Sequence, residues 1–234
     1  MADRALVLVP GLLCDATIWQ PQLDALASST EMTVARSTGH DHIAALARQA
    51  LDAAPERFAL AGHSLGGRIA LEMLRQAPER IERLALLDTG VHPAGPGERE
   101  ARYALVRLAE QDGMRAHARA WLPPMVHPDR RNERPLVDPL TVMVERSTPA
   151  SFRQQQDVLL SRPDAGPVLA TITCPTLVLV GREDAWSPLA QHKAIAAAVT
   201  GAVLRVIEHC GHMSTVERPV EVTAALREWL VPSV

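Results

Sequence analysis

The sequence has no charge of one sign to spare: 24 Lys and Arg against 27 Asp and Glu leave a net charge of −3 over 234 residues. That balance excludes bulk attraction to nucleic acid or to an anionic membrane, and a small molecule becomes the expected partner. Cysteine is sparse too. Cys14, Cys174 and Cys210 are odd in number and match no Cys-x-x-Cys spacing, so reduced thiols in a cytoplasmic protein are expected rather than a disulfide framework or a zinc knuckle. No apolar run approaches the length of a membrane span. The stretch from Ala5 to Leu13 imitates a signal-peptide core, and Leu12-Leu13-Cys14 hints at a lipoprotein signal. Against export, Asp3 offsets Arg4, Pro10-Gly11 breaks the run, and the residue before Cys14 is not small. Aromatic residues are few, with four Trp, two Phe and one Tyr, so a tryptophan near a motif stands out.

What is present is ordinary globular composition, 47% hydrophobic and 22% charged, on a chain long enough for one well-buried domain without staples. Short Val- and Leu-rich runs alternate with helical patterns, which predicts an α/β fold: a mostly parallel sheet of about six strands with helices on both faces. The expected strands are 5–9, 32–35, 58–61, 83–87, 176–180 and 203–207. Asp41 is placed to cap a helix whose stripe is Ile43, Leu46, Ala47, Ala50 and Leu51. Ile69, Ala70, Met73 and Leu74 form a second stripe, and Val222, Leu226, Trp229 and Leu230 a third. The alternation stops between about His92 and Pro167, where Pro123, Pro124, Pro128, Pro135, Pro139 and Pro149 interrupt short helices. The expected division is a core of 1–91 and 167–234 with a helical cap, 92–166, inserted in it. From Arg99 to Arg134 eight arginines meet five acids, a local +3 that reads as a solvated helix surface or an anion-guiding patch.

The sharpest signal is Gly62-His63-Ser64-Leu65-Gly66, between a predicted strand and a predicted helix. A sharp turn there forces Ser64 into strained backbone angles, and its neighbours two positions away must lack side chains so that strand and helix can meet. A serine hydroxyl is a poor nucleophile until a base takes its proton. Of nine histidines, His212 lies just past the last predicted strand, at the edge where Ser64 emerges. His209 is its rival, closer to the strand end; His63 reads as a packing or hydrogen-bonding residue of the turn, and His40 and His42 flank a helix start. The third member is a carboxylate that fixes the imidazole tautomer. Asp184 follows the fifth strand and gives the order Ser64, Asp184, His212; Asp88 and Glu183 compete for the role. Two N–H donors are needed for an oxyanion, and Leu65, after the serine, and Leu12, in the loop after the first strand, are the candidates. Trp19, Trp121, Met125, Trp186 and Met213 fall near the motif loops or in the cap and are candidate pocket residues, with ordinary packing as the alternative.

Four strings carry a resemblance that spans nearly the whole chain: Val9-Pro10-Gly11-Leu12-Leu13, Gly62-His63-Ser64-Leu65-Gly66-Gly67, Gly181-Arg182-Glu183-Asp184 with Pro188 following, and Gly211-His212. With them the sequence resembles the α/β-hydrolase superfamily, in particular its compact bacterial carboxylesterases and enol-lactonases. It departs from that pattern at Pro10-Gly11, where members usually carry His-Gly, and in leaving no room for an initial antiparallel hairpin. Serine rather than aspartate as nucleophile disfavours the dehalogenase and epoxide-hydrolase branches. The resemblance implies a serine hydrolase of small esters or lactones that needs no metal or organic cofactor, with no nucleic-acid or membrane partner, as a monomer or homodimer. Two other readings stay open: a lyase or synthase of the menaquinone-pathway type that uses the same three residues with serine as base, and a non-catalytic small-ligand receptor.

Overall fold

The computed structural model describes residues 5–231. Residues 1–4, on which the leader reading partly rested, lie outside them. Six strands, β1 (Leu6–Val9), β2 (Met32–Val34), β3 (Phe58–His63), β4 (Ile81–Leu87), β5 (Thr176–Gly181) and β6 (Val203–Ile207), form one parallel sheet in the order β2-β1-β3-β4-β5-β6. The four inner strands are buried almost throughout, whereas the edge strands β2 and β6 alternate in exposure. Continuous apolar runs mark inner strands because helices cover both faces. β3 runs two residues past its predicted end, and β4 starts two residues early, at the apolar Ile81, because the charged Glu82 disguises that end of the strand.

The helices are α1 (Gln20–Leu26), α2 (Ile43–Ala53), α3 (Leu65–Gln76), α4 (Glu98–Trp121), α5 (Arg134–Glu145), α6 (Pro149–Leu160), α7 (Gly166–Leu169), α8 (Leu189–Ala198), α9 (Ser214–Glu217) and α10 (Pro219–Leu230). All five stripe residues of α2 are buried, as are the four of α3. Asp41 does not cap α2. His42 occupies that position without a side-chain bond, and the Asp41 carboxylate instead meets the His42 ring at 2.7 Å.

Among the described residues, the segment between β4 and β5 holds helices and short 3₁₀ turns and no strand. Of the six prolines singled out above, four sit where helix starts tolerate them: Pro123 and Pro128 begin 3₁₀ turns, and Pro135 and Pro149 stand in the first turns of α5 and α6. Pro139 lies inside α5 and does not end it. α4 is broken at Gly113, whose φ of 84° and ψ of 168° are not helical. Three of the eight arginines of the local +3 stretch pair with acids outside the cavity: Arg115 with Glu145, Arg130 with Glu133, Arg134 with Asp138. Arg102 instead pairs with Glu98 and lines the cavity.

The chain visits β2 on one side of β1 and then crosses to β3 on the other. That reversal opens a crevice at the carboxyl ends of β1 and β3, where open α/β sheets gather their ligands. No helix among the described residues is long and apolar enough to cross a membrane.

Candidate active site

Ser64 stands between β3 and α3 with φ 54° and ψ −117°, a backbone state that side chains avoid. The close packing of its neighbours imposes it. A Cβ on Gly62 would lie 2.3 Å from the Gly66 carbonyl oxygen, and one on Gly66 would lie 2.1 Å from that of Val9, so only hydrogen fits at either position. The Ser64 N–H donates to the Leu87 carbonyl at 2.9 Å, which fixes the corner to β4.

Three side chains from three loops at this sheet edge form a continuous chain. His212 Nε2 lies 2.9 Å from Ser64 Oγ, and its Nδ1 lies 2.8 Å from Asp184 Oδ2. The other Asp184 oxygen accepts from the N–H groups of Trp186 and Ser187 at 2.8 and 2.9 Å. Burial alone would lift the Asp184 pKa, but the His212 ring and those two N–H groups more than offset it and hold the carboxyl below its ordinary value. An ionised carboxylate can only accept, so the shared proton sits on Nδ1. Nε2 then keeps a lone pair, and Ser64 Oγ–H donates to it. Burial likewise presses the His212 pKa down, yet the charge and hydrogen bond of Asp184 carry it above the ordinary 6.5.

The rival residues sit elsewhere. Asp88, fully buried at the end of β4, accepts from the Gly181 N–H at 3.0 Å and from the Ser214 hydroxyl, and does not reach the His212 ring. Burial, and then the charge of Asp184, raise its pKa well above the ordinary range. Glu183 accepts from the Cys210 N–H at 2.9 Å. His209 is exposed, with its ring centroid 5.9 Å from that of His127. His63 is buried and donates from Nε2 to the His212 carbonyl at 2.8 Å; desolvation pushes its pKa down to about 3, so it stays neutral. Among the described residues no group of His, Cys, Asp and Glu is arranged to hold a metal.

The N–H groups of Leu12 and Leu65 meet no acceptor among the described residues, and both leucines line the same cavity as Ser64 and His212, about 440 Å³ in volume. Leu65 begins α3, so its free N–H carries the positive end of the helix dipole. Trp121, Met125, Trp186 and Met213 line the cavity as well. Trp19 does not. Asp15 accepts from Thr17 N–H and starts the 3₁₀ turn Ala16–Trp19, which turns Ile18 and Trp19 inward beneath α1, α5 and α9, so Trp19 is a core residue with no exposure.

Two supporting side chains escaped the sequence reading. The Leu13 N–H donates to Gln155 Oε1 of α6 at 3.0 Å, and the Gln155 amide donates to the Ser37 carbonyl at 3.2 Å, which ties the Leu12 loop to the helical segment. Nothing in the sequence pairs residues 142 positions apart. Gln155→Leu should lower kcat about tenfold, since a misplaced donor loses part of its worth; esterase kinetics on the purified variant checks it. Buried Glu217 accepts from the N–H groups of Gly211 at 3.0 Å, Met213 at 3.2 Å and His127 at 2.8 Å, bracketing His212 and reaching the helical segment. The spacing Ser214-x-x-Glu217 is a helix-start signature and was its only signal. Glu217→Gln puts an amide NH₂ among three donors and should cost about 2 kcal/mol of stability by denaturant titration, with a parallel loss of kcat.

Comparison with known proteins supports the same fold. A profile described as the alpha/beta hydrolase family matches residues 6–226. A relative from Rhizobium rhizogenes, named "Putative carbamate hydrolase RutD", is 28% identical over 93% of this chain and 89% of its own. A thermophilic esterase from Thermogutta terrifontis superimposes with a TM-score of 0.86 and 28% identity over 97% of this chain and 89% of that one. The enol-lactonase from Burkholderia xenovorans LB400 gives a TM-score of 0.86 at 24% identity over 98% and 92%, a likeness of fold.

Proposed function

Since the chain belongs to the α/β hydrolase family, we propose that it is a serine hydrolase cleaving a small carboxylic ester or lactone through an acyl-enzyme. The observation that carries this reading is the unbroken hydrogen-bonded chain Asp184–His212–Ser64 opening onto a cavity. In this mechanism Ser64 Oγ attacks the carbonyl carbon and its proton passes to His212 Nε2. Charge that develops on the carbonyl oxygen is taken by the N–H groups of Leu12 and Leu65. Collapse of the intermediate breaks the bond to the alcohol oxygen, which leaves with the proton from His212. Water then gives a proton to His212 and attacks the acyl group, and the returning proton restores Ser64 as the acid departs. Asp184 stays ionised throughout and orients the ring. The segment between β4 and β5 acts as a cap, supplying Trp121 and Met125 to a pocket wall that Trp186 and Met213 also line.

The RutD relative is named for carbamates, whose carbonyl this arrangement could attack in the same way, so the substrate panel includes one. The elimination reading is favoured by one observation, the guanidinium groups of Arg68, Arg102 and Arg162 on the cavity wall, which suit an anionic substrate. A fluorophosphonate label located on Ser64, followed by esters, lactones and a carbamate, tests the nucleophile and the substrate class together. A covalent acyl group trapped on Ser64 supports hydrolysis; turnover without one supports elimination. Saturable binding without turnover, unchanged in Ser64→Ala, would leave a receptor.

A further inference from the structure

At one end of the cavity three arginines, Arg68, Arg102 and Arg162, stand beside a single carboxylate, Glu98, and only two of them bond to it. Arg162 is spent: its guanidinium donates to both oxygens of Glu98 and to the carbonyls of His92, Leu159 and Pro93. Arg102 donates to Glu98 at 2.6 Å and to the Gln156 side chain at 2.7 Å. Glu98 is thereby saturated, since it also accepts from the Gly95 N–H at 2.9 Å.

Arg68 has no such partner. Its Nη1 donates to the His92 carbonyl at 2.9 Å, and it makes no ion pair with a carboxylate among the described residues. Nη2 lies against Gly90 on the cavity wall, 3.1 Å from where a Cβ there would stand. Arg68 also borders a neighbouring cavity holding Asp164 and Glu72, but Asp164 accepts from Gly166 N–H and Glu72 pairs with Arg75. Partial burial, and then the positive charge of Arg162, push the Arg68 pKa down to about 9, so the group remains charged at neutral pH in a setting short of negative charge. Three guanidiniums against one carboxylate leave two positive charges at this end of the pocket.

Position adds the second half of the argument. Arg68 lies four residues beyond Ser64, about 6 Å or just over one turn along α3, and helical side chains lean toward the N-terminus, here toward Ser64. The unused donors Nε and Nη2 form one edge of one guanidinium, the fork that pairs with the two oxygens of a carboxylate.

Resting on the hydrolase reading above, we infer that the preferred substrate carries a carboxylate a few bonds from the scissile carbonyl, and that Arg68 is the residue that selects it. The cavity then has an uncharged apolar side, with Trp121, Met125 and Met213, and a cationic end that anchors the substrate before Ser64 attacks.

The test compares aryl half-esters of succinate, glutarate and adipate, and acetyl esters of hydroxybenzoates, with their methyl-capped neutral counterparts. In the wild type the charged member of at least one series should exceed its neutral counterpart by about tenfold or more in kcat/KM, mainly through KM. In Arg68→Met that ratio should collapse to about twofold or less, and Arg68→Lys should recover part of it. Glutarate binding measured by calorimetry provides a readout independent of turnover and should be lost in Arg68→Met. A wild type that treats charged and neutral esters alike in both series, or a preference that survives Arg68→Met, overturns the inference while leaving the hydrolase standing. Absence of turnover on every ester with glutarate binding intact would instead overturn the hydrolase reading and keep the anion site.

Discussion

Ser64→Ala should lower the hydrolysis of p-nitrophenyl acetate by about 10⁴- to 10⁶-fold, because groups that act as a unit lose nearly everything with the nucleophile. The hydroxyl hangs on a corner that the fold holds at a cost. With φ at 54° and ψ at −117°, Ser64 occupies backbone space that strains any residue with a Cβ, so alanine inherits the strain and glycine does not. Ser64→Gly should therefore be as inactive as Ser64→Ala and more stable than it by about 1 kcal/mol, after the extra unfolded-state entropy of glycine is deducted from the relief. The two variants separate function from folding: both lack the oxygen, and only one keeps the strain. Urea titration beside the esterase assay reads both quantities. An unchanged rate in Ser64→Ala removes the nucleophile from the reading, and equal stabilities would mean that the corner stores no strain.

Much of this architecture was open to a reading of the residues alone because it rests on short-range rules. The inner strands announce themselves as apolar runs since both of their faces are covered, and α2 announces itself through the stripe from Ile43 to Leu51. Ser64, Asp184 and His212 were legible because each follows a strand and the sheet is parallel, so all three emerge at one edge. What stayed hidden depends on long-range pairing or on local competition. Gln155 and Leu13 meet only through the tertiary fold, as do Arg68 and the His92 carbonyl. Asp41 looks like a helix cap, yet the adjacent His42 ring captures its carboxylate. Trp19 sits near a motif loop in sequence, but the turn begun at Asp15 carries it into the core. Asp88 and Asp184 follow neighbouring strands, and strand order alone does not separate them. Their partners do: Asp88 is engaged by Gly181 and Ser214, while Asp184 keeps one oxygen for the imidazole.

That free oxygen leads to the second large effect. Asp184→Asn should leave the fold intact and lower kcat by about 10⁴-fold, the size expected when a correctly placed imidazole is held in the wrong tautomer. The direction follows from hydrogen bonds on the far side of the carboxylate. Asp184 Oδ1 accepts from two backbone N–H groups, of Trp186 and Ser187, so an asparagine must leave its carbonyl oxygen there and turn its NH₂ toward His212. Facing a donor, Nδ1 gives up its proton and Nε2 acquires it, and Nε2 then has no lone pair for the Ser64 hydroxyl. The pH profile supplies an independent check. The base must be neutral to work, so the wild-type rate falls as pH drops through a His212 pKa that Asp184 has raised above 6.5. Without that negative charge the buried ring is harder to protonate, and the acidic limb of the residual activity should move to lower pH. A limb that stays in place would mean either that His212 is not the titrating base or that Asp184 carries no charge beside it, and either result overturns the assignment.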